Sequence, residues 1–184
     1  MLSGVEPTVR RLEPGERFDA LFRGLYRELF GLAYRLLGDR GETEETLQEA
    51  FLKLAASPVL ERPDVEVAAW LRRVCLNLGT NRLRDGRRAR ERLERAARLE
   101  LAAPQDDGDP SRAALRQEAR QTVRRALSRL PERQRDCLLL RHSGHSYAEI
   151  AATLDVAVGS VGVILARAER AFRIAYGEHD DEVS

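Results

Sequence analysis

The stretch "SYAEIAATLDVAVGSVGVILARAERAFR", from Ser146 to Arg173, carries the clearest structural signal in the chain. Ser146 followed by Glu149 is the pattern of a capping box, so a short helix is predicted to begin there. The helical spacing is interrupted at Asp155, and a second helix is predicted after it with Ser160 as its N-cap. Two amphipathic helices joined by a tight turn indicate a helix-turn-helix. An ordinary helical hairpin has the same pattern, so this motif alone leaves DNA binding open.

The rest of the chain is also predicted to be helical. Apolar residues recur every three or four positions on both sides of this stretch, and strand signals are nearly absent. Five more helices are predicted: Phe18 to Leu37, Asp39 or Thr43 to Ser57, Asp64 (its expected N-cap) to about Arg84, Ser111 to Arg129, and Glu132 to His142. Gly38 is expected to end the first of them. The predicted fold class is therefore all-α.

A composition change near residue 105 predicts two small helical domains. The segment "AAPQDDGDP", Ala102 to Pro110, is small, acidic and punctuated by Pro and Gly, as flexible linkers are. The expected division is an N-terminal extension at 1–17, a first module at 18–98, a linker at 99–112, a second module at 113–177 and an acidic tail at 178–184.

Composition excludes several function classes. The formal net charge of +1 argues against a uniformly basic, histone-like protein. Cys75 and Cys137 lie far apart without metal-ligand spacing, and no catalytic or phosphate-binding motif is present, so neither an enzyme nor a metal or cofactor site is predicted. No apolar run is long enough for a membrane span, and residues 1–17 lack the apolar core of a signal peptide. A cytoplasmic protein is expected.

The third predicted helix has two different faces. One carries its apolar stripe, which consists of Val67, Leu71, Val74, Cys75 and Leu78. The other carries Arg73, Asn77, Asn81 and Arg84 within an arc of about 80°. Arginine suits phosphate contacts and asparagine can read base edges, so the polar face is a candidate nucleic-acid contact. An exposed polar face without function is the alternative.

Three stretches resemble the extracytoplasmic-function (ECF) sigma factors, which are subunits of bacterial RNA polymerase. "GDRGETEETLQEAFLKL" (Gly38 to Leu54) and "AAWLRRVCLNLGTNRLR" (Ala68 to Arg84) are similar to region two of that family. "ALSRLPERQRDCLLLRHSGHSYAEIAATLDVAVGSVGVILARAERAFR" (Ala126 to Arg173) is similar to region four. The resemblance implies a region-two helical bundle, a region-four helix-turn-helix and three partners: core RNA polymerase, promoter DNA and an anti-sigma factor.

The resemblance also implies roles for particular residues. Those matching the polymerase-docking helix are Glu44, Glu45, Gln48 and Glu49, although a charge run is more often a solvated face. Those matching the minus-ten element contact are Arg73, Asn77, Asn81 and Arg84. Leu76 stands where the family commonly has arginine, and Asn81 where aspartate is common.

The last helix departs most from the family. Its expected contacts with the minus-thirty-five element are Ser160, Val163, Arg167, Arg170 and Arg173, but Gly162, Val163 and Ala166 occupy the usual base-reading positions. These three side chains offer no hydrogen-bond donors, so base readout is expected to be weak. Two other functions therefore stay open: a sigma-like interaction module that reads no minus-thirty-five element, and a repressor that uses only its helix-turn-helix.

Overall fold

The molecule is all-α, as predicted. The structure is a computed structural model that describes the backbone of residues 14–97 and 112–182 and the side chains of residues 15–86 and 121–177. The described residues form seven helices: α1 (Pro14–Leu37), α2 (Arg40–Ala55), α3 (Asp64–Ala97), α4 (Arg112–Arg129), α5 (Glu132–His142), α6 (Tyr147–Leu154) and α7 (Val158–Glu182). A 3₁₀ turn, Pro58–Glu61, lies between α2 and α3. Residues 99–111 of the predicted linker, most of the N-terminal extension and the last two residues of the tail lie outside the described residues, and the linker's last residue, Arg112, is the first of α4.

Helices α1, α2 and α3 form the first module around one apolar core. The side chains that are completely buried in this core include Leu29, Leu47, Leu54 and Leu71. Phe51 packs edge-on against Phe18, with their ring centroids 6.1 Å apart. The chain leaves α1 at Gly38, whose φ of 72° is the left-handed conformation that glycine adopts without strain.

The two boundaries of this module differ from those predicted. Helix α1 begins at Pro14 rather than at Phe18, and Arg17 is held by an ion pair with Asp64 at 2.8 Å. Helix α3 begins at Asp64, so this residue is the first of the helix and not its N-cap. Helix α3 continues past Arg84 to Ala97, because the following Arg, Ala, Glu and Leu residues are strong helix formers that tolerate the single Gly86.

Helices α4 to α7 form the second module, which contains the predicted helix-turn-helix in α6 and α7. The capping box is present, with Glu149 N–H donating to Ser146 Oγ and Ser146 N–H donating to the Glu149 carboxylate. Asp155 adopts the left-handed conformation (φ 54°) that ends α6. Ser160 is not the N-cap of α7, because that helix already begins at Val158. The tight turn between the helices is shorter than the sequence suggested.

The two modules share a core instead of standing apart. Leu32 and Leu36 of α1 and Leu76 of α3 lie in the same buried cluster as the apolar residues of α4 to α7. Helices α1 and α3 approach closely at Gly79, where a Cβ would come within 2.7 Å of Leu36 Cδ2. The face of α3 opposite the first core is therefore also buried.

No single helix among the described residues is long and apolar enough to cross a membrane. Helix α6 and the adjoining part of α7 meet that requirement only as a pair, and they are bent by 90° at the turn between them.

Candidate nucleic-acid interface

Helix α2 presents an acidic face to solvent. Glu44, Glu45 and Gln48 are exposed and Glu49 is half-buried, while the opposite face of the helix lies in the core. Each carboxylate has a basic neighbour: Arg40 lies 2.8 Å from Glu44, Arg82 lies 2.8 Å from Glu45, and Lys53 lies 3.4 Å from Glu49. Exposed ion pairs of this kind contribute about 0–1 kcal/mol, so the acids remain available to another partner.

The N-terminus of α2 is oriented by Asp39. Its carboxylate accepts a hydrogen bond of 2.8 Å from the N–H of Glu42, so Asp39 is the N-cap of α2. Of the two predicted starting points of this helix, Asp39 and Thr43, the structure has the first. The hydroxyls of Thr43 and Thr46 are buried and donate to the carbonyls of Asp39 and Glu42. These bonds satisfy polar groups within α2 itself, while burial of Leu47, Phe51 and Leu54 on the opposite face keeps the acidic face toward solvent.

The predicted polar stripe of α3 lies beside the second module. Asn77 and Asn81 are exposed, and Arg73 is half-buried. Asn77 opens into a cleft of about 430 Å³, whose other wall is built by residues of α5 and the α6–α7 turn, including Arg133 and Asp155. The structure therefore keeps the stripe together on one face but places it at the junction of the modules.

Both arginines of the stripe bind the second module. Arg73 donates from Nε to the Thr153 carbonyl at 2.6 Å and from an Nη to the Ala152 carbonyl at 3.1 Å. These carbonyls belong to the last turn of α6, where helix carbonyls lack partners within the helix. Arg84 forms an ion pair with Glu132 at 2.7 Å. The sequence did not predict these contacts.

A second set of polar residues at the junction was missed by sequence analysis. Arg135 of α5 is buried, donates to Thr80 Oγ1 of α3 at 2.6 Å, and pairs with the buried Asp136 at 3.1 Å. Burial raises the pKa of Asp136 to about 6, although the positive charge of Arg135 opposes that rise. The only sequence signal was a charged pair at the start of an otherwise apolar stretch of α5.

His145 is buried where α1, α3 and α6 meet. Its Nε2 lies 3.6 Å from Glu28 Oε1, and its Nδ1 lies 3.9 Å from Glu149 Oε1. Arg72 pairs with Glu28 at 2.6 Å and approaches Glu149 at 3.7 Å. Burial lowers the pKa of His145, and the charge of Arg72 lowers it further. The neutral imidazole is therefore the favoured form in this network.

The exposed part of α7 has few polar groups near its beginning. Ser160, Val163, Arg167 and Arg170 are exposed along one side of the helix. Arg173, one turn beyond Arg170, is also exposed and lines an apolar groove of about 640 Å³ between α1, α4, α5 and α7. All five predicted minus-thirty-five contacts are thus exposed on α7, and Arg173 also borders the groove.

Tyr147 covers part of the bare surface of α7. A Cβ on Gly162 would lie 3.8 Å from Tyr147 Cε2, so the ring lies directly beside this glycine. Tyr147 is 42% exposed, and the Arg141 guanidinium lies 5.6 Å from the centroid of its ring. Sequence analysis assigned Tyr147 only to the short first helix and missed this position.

These features define a two-module, all-helical protein of the helix-turn-helix class. The family profile of Sigma-70 region 2 matches residues 21–89, and that of Sigma-70, region 4 matches residues 120–172. The chain is 33% identical over 171 residues to the RNA polymerase sigma-H factor of Pseudomonas aeruginosa, and this alignment covers 89% of each chain. It is 32% identical over 171 residues to the ECF RNA polymerase sigma-E factor of Escherichia coli K12, again covering 89% of each. The chain belongs to the extracytoplasmic-function family of RNA polymerase sigma factors.

Solved structures show the same fold. CnrH, in complex with the cytosolic domain of CnrY, matches 91% of this chain and 89% of its own with a TM-score of 0.52 and 23% identity. The sigma factor RpoE, in complex with the anti-sigma factor NepR from Bartonella quintana, matches 86% of this chain and 95% of its own with a TM-score of 0.50 and 20% identity.

Proposed function

We propose that this chain binds core RNA polymerase and directs it to promoters, as a sigma factor does. The observation that carries this function is the order of the two modules, which matches sigma factors over 89% of both chains. The chain itself contributes no catalytic step, because the nucleotidyl transfer belongs to the polymerase. That partnership places the protein in the cytoplasm. In this proposal the two modules span residues 18–98 and 113–177 and are joined by a linker at 99–112.

The acidic face of α2 is proposed to dock on core polymerase. Glu44, Glu45 and Gln48 are solvent-exposed, and Glu49 borders them. Their basic neighbours lie at the edges of the face and leave its centre open to a positively charged partner. Complementary charge would steer the encounter and set the orientation of the two proteins.

The polar stripe of α3 is proposed to bind the minus-ten element. Arg73 and Arg84 can hold phosphates, while Asn77 and Asn81 can donate to and accept from base edges. Melting of the promoter exposes single-stranded bases, which proteins capture through backbone electrostatics and base pockets. The combination of two arginines and two asparagines on one face supports this role.

Asn77→Ala should slow open-complex formation and relax base preference at one or two melted positions. A lost base contact costs about 1–3 kcal/mol. Permanganate footprinting of the holoenzyme on promoter DNA measures bubble formation, and base substitution measures the preference. Arg84→Ala is the matched comparison, because it should weaken binding of all sequences alike. If the footprint of Asn77→Ala equals that of the wild type, Asn77 does not belong to the site.

The exposed side of α7 is proposed to hold the minus-thirty-five region mainly through phosphates. Ser160, Val163, Arg167 and Arg170 share this surface, and the exposed Arg173 follows Arg170 by one turn at the apolar groove. Gly162 and Val163 offer no side-chain hydrogen bonds to bases. Specificity upstream should therefore come from DNA shape more than from base readout.

Arg170→Ala should lower the slope of log affinity against log salt by about one unit, with all sequences affected alike. The reason is that a lost phosphate contact releases fewer counterions. The measurement is holoenzyme binding to upstream DNA across a salt series, combined with a base-substitution scan of that element. Single base changes that each cost about 1–3 kcal/mol would instead show direct base contacts by α7.

An anti-sigma factor is the proposed third partner. Of the two structural neighbours, RpoE was solved with the anti-sigma factor NepR, and CnrH was solved with the cytosolic domain of CnrY. The proposal for this chain rests on the similarity of fold. In addition, three arginines line the apolar groove and would attract an acidic segment of such a partner: Arg35, Arg124 and Arg173.

Run-off transcription tests the function. Core polymerase and the purified chain should together transcribe from promoters that the holoenzyme selects from genomic fragments, whereas core alone should not. A second function, an interaction module without upstream promoter reading, is favoured by the bare surface at Gly162, Val163 and Ala166. Association with core but no transcription from any fragment would support this second function.

A further inference from the structure

The apolar groove bordered by Arg173 has the size of a small-molecule site. Its volume is about 640 Å³, and it is lined by residues of α1, α4, α5 and α7. It is therefore separate from the acidic face of α2 and from the polar stripe of α3. Sites for small ligands measure about 300–1,000 Å³ and bury most of the ligand surface. The groove is large enough to do the same.

The floor of the groove is aliphatic. Leu127 of α4 and Leu138 and Leu139 of α5 line it, and all three belong to the buried core of the second module. Val123 of α4 is 36% exposed, and the partly buried Phe172 of α7 packs against the same core. Contiguous apolar surface that is open to water usually marks a binding site. Branched aliphatic side chains of this kind suit an acyl chain.

The charged groups of the groove are mainly cationic. Arg35, Arg124 and Arg173 line it together with a single carboxylate, that of Glu169. In the part of the chain that the structure describes, neither Arg124 nor Arg173 forms an ion pair. Arg35 donates one long hydrogen bond, of 3.4 Å, to Ser143 Oγ. An anion that enters the groove therefore meets guanidinium groups that no carboxylate of the described chain neutralises.

Arg124 has the position best suited to hold such an anion. It is half-buried, and its guanidinium lies directly on Gly38 at the end of α1, where a Cβ would collide with it. The absence of a side chain at Gly38 thus admits the guanidinium to this end of the groove. A charge-assisted hydrogen bond is stronger where the donor is partly removed from water.

We propose that the groove binds an amphipathic carboxylate, a fatty acid of medium chain length, with its acyl chain on Leu127, Leu138 and Leu139 and its carboxylate on Arg124. Arg35 and Arg173 add positive charge beside it. The site is independent of the promoter and polymerase contacts proposed above. A bound fatty acid would occupy the arginines that an acidic segment of an anti-sigma factor would contact, so the two ligands would compete.

The test uses the full-length chain and decanoate below its micelle-forming concentration, with binding measured by isothermal titration calorimetry. Binding should be saturable with one molecule per chain, and decanoate should raise the midpoint of thermal unfolding because it binds the folded state. Decanol has the same chain without the charge, and its affinity should be about tenfold lower, as expected when one charge-assisted hydrogen bond is missing. Equal affinities for decanoate and decanol would overturn the proposal.

Arg124→Gln tests the contact with the carboxylate. It should lower the affinity for decanoate about tenfold and leave the affinity for decanol unchanged. The matched control is Arg23→Gln, which makes the same charge change at an exposed position of α1, about three helical turns before Arg35. If the two variants bind decanoate equally well, Arg124 does not hold the carboxylate and the proposal is wrong.

Val123→Trp tests the position of the acyl chain. The indole should fill the groove from α4 and abolish binding of both decanoate and decanol, and the exposure of Val123 should let the chain fold. Ile174→Trp, at a 56% exposed position of α7 outside the groove, is the control and should bind both compounds as the wild type does. Circular dichroism checks that both variants are folded. Unchanged binding by Val123→Trp would place the ligand elsewhere and overturn the proposal. Failure of the wild type to bind decanoate would also overturn it, and would leave the groove to a protein segment.

Discussion

Arg135→Ala should lower the free energy of unfolding by about 3–5 kcal/mol at neutral pH, because it leaves the buried Asp136 without its positive partner. Both side chains are 7% exposed, so water cannot replace the lost interaction. Thr80 also loses its donor across the junction of the modules. Urea unfolding followed by far-ultraviolet circular dichroism measures the change. Arg133→Ala, at an exposed neighbouring arginine of α5, should cost no more than about 0.5 kcal/mol.

The loss caused by Arg135→Ala should depend on pH. The pKa of Asp136 is about 6 in the folded chain against a usual 3.8, so the folded state binds more protons between these values and stability falls as pH rises through this window. Removal of Arg135 raises that pKa further. The destabilisation should therefore be largest above pH 6 and smaller near pH 4, where Asp136 is protonated.

A double variant separates charge from packing. Arg135→Ala/Asp136→Asn removes the unpaired charge and should recover part of the stability at neutral pH, which a double-mutant cycle expresses as a coupling energy. An equal loss for Arg135→Ala at both pH values would show that packing and the Thr80 contact, not the Asp136 charge, account for the effect.

Glu45→Arg/Gln48→Arg should abolish co-purification with core polymerase while leaving the helical circular dichroism unchanged. Like charges brought together in an interface cost several kcal/mol, and both positions are exposed, so folding should tolerate them. Arg82, which pairs with Glu45, would face a like charge but keeps a second carboxylate, that of Glu49, at 3.8 Å.

The matched control is Asp19→Arg/Gln121→Arg, which makes the same two charge changes on exposed positions of α1 and α4. It should associate with core as the wild type does. Undiminished association of Glu45→Arg/Gln48→Arg would remove α2 from the docking surface. Loss of association in both double variants would point to net charge rather than to the acidic face.

Features that depend on neighbours along the chain could be predicted from the sequence. The capping box of Ser146 and Glu149 and the break at Gly38 are present where the pattern placed them, and α2 starts at Asp39, one of the two predicted starting points. Each depends on backbone groups within about four residues, so local composition suffices. The acidic face of α2 and the polar stripe of α3 also follow from helical periodicity alone. What these faces bind stays a prediction.

Errors in local prediction had local causes. Ser160 was predicted as an N-cap because its hydroxyl suits that position, but the helix begins two residues earlier at Val158. Helix α3 was predicted to end near Arg84 because its apolar stripe ends there, although strong helix formers continue it to Ala97. Periodicity shows where a helix needs packing, and it does not show where the helix stops.

The partners of Arg73, Arg84 and Arg135 could not be read from the sequence. Their partners lie 80, 48 and 55 positions away for Thr153, Glu132 and Thr80, and no periodic pattern links residues at such distances. Leu76, which stands where the family commonly has arginine, lies in a second core that helical periodicity does not reveal. Where a helix forms and which of its faces is apolar follow from short-range hydrogen bonding and apolar spacing. Which helix faces pack against each other depends on how the side chains of both modules fill one buried volume.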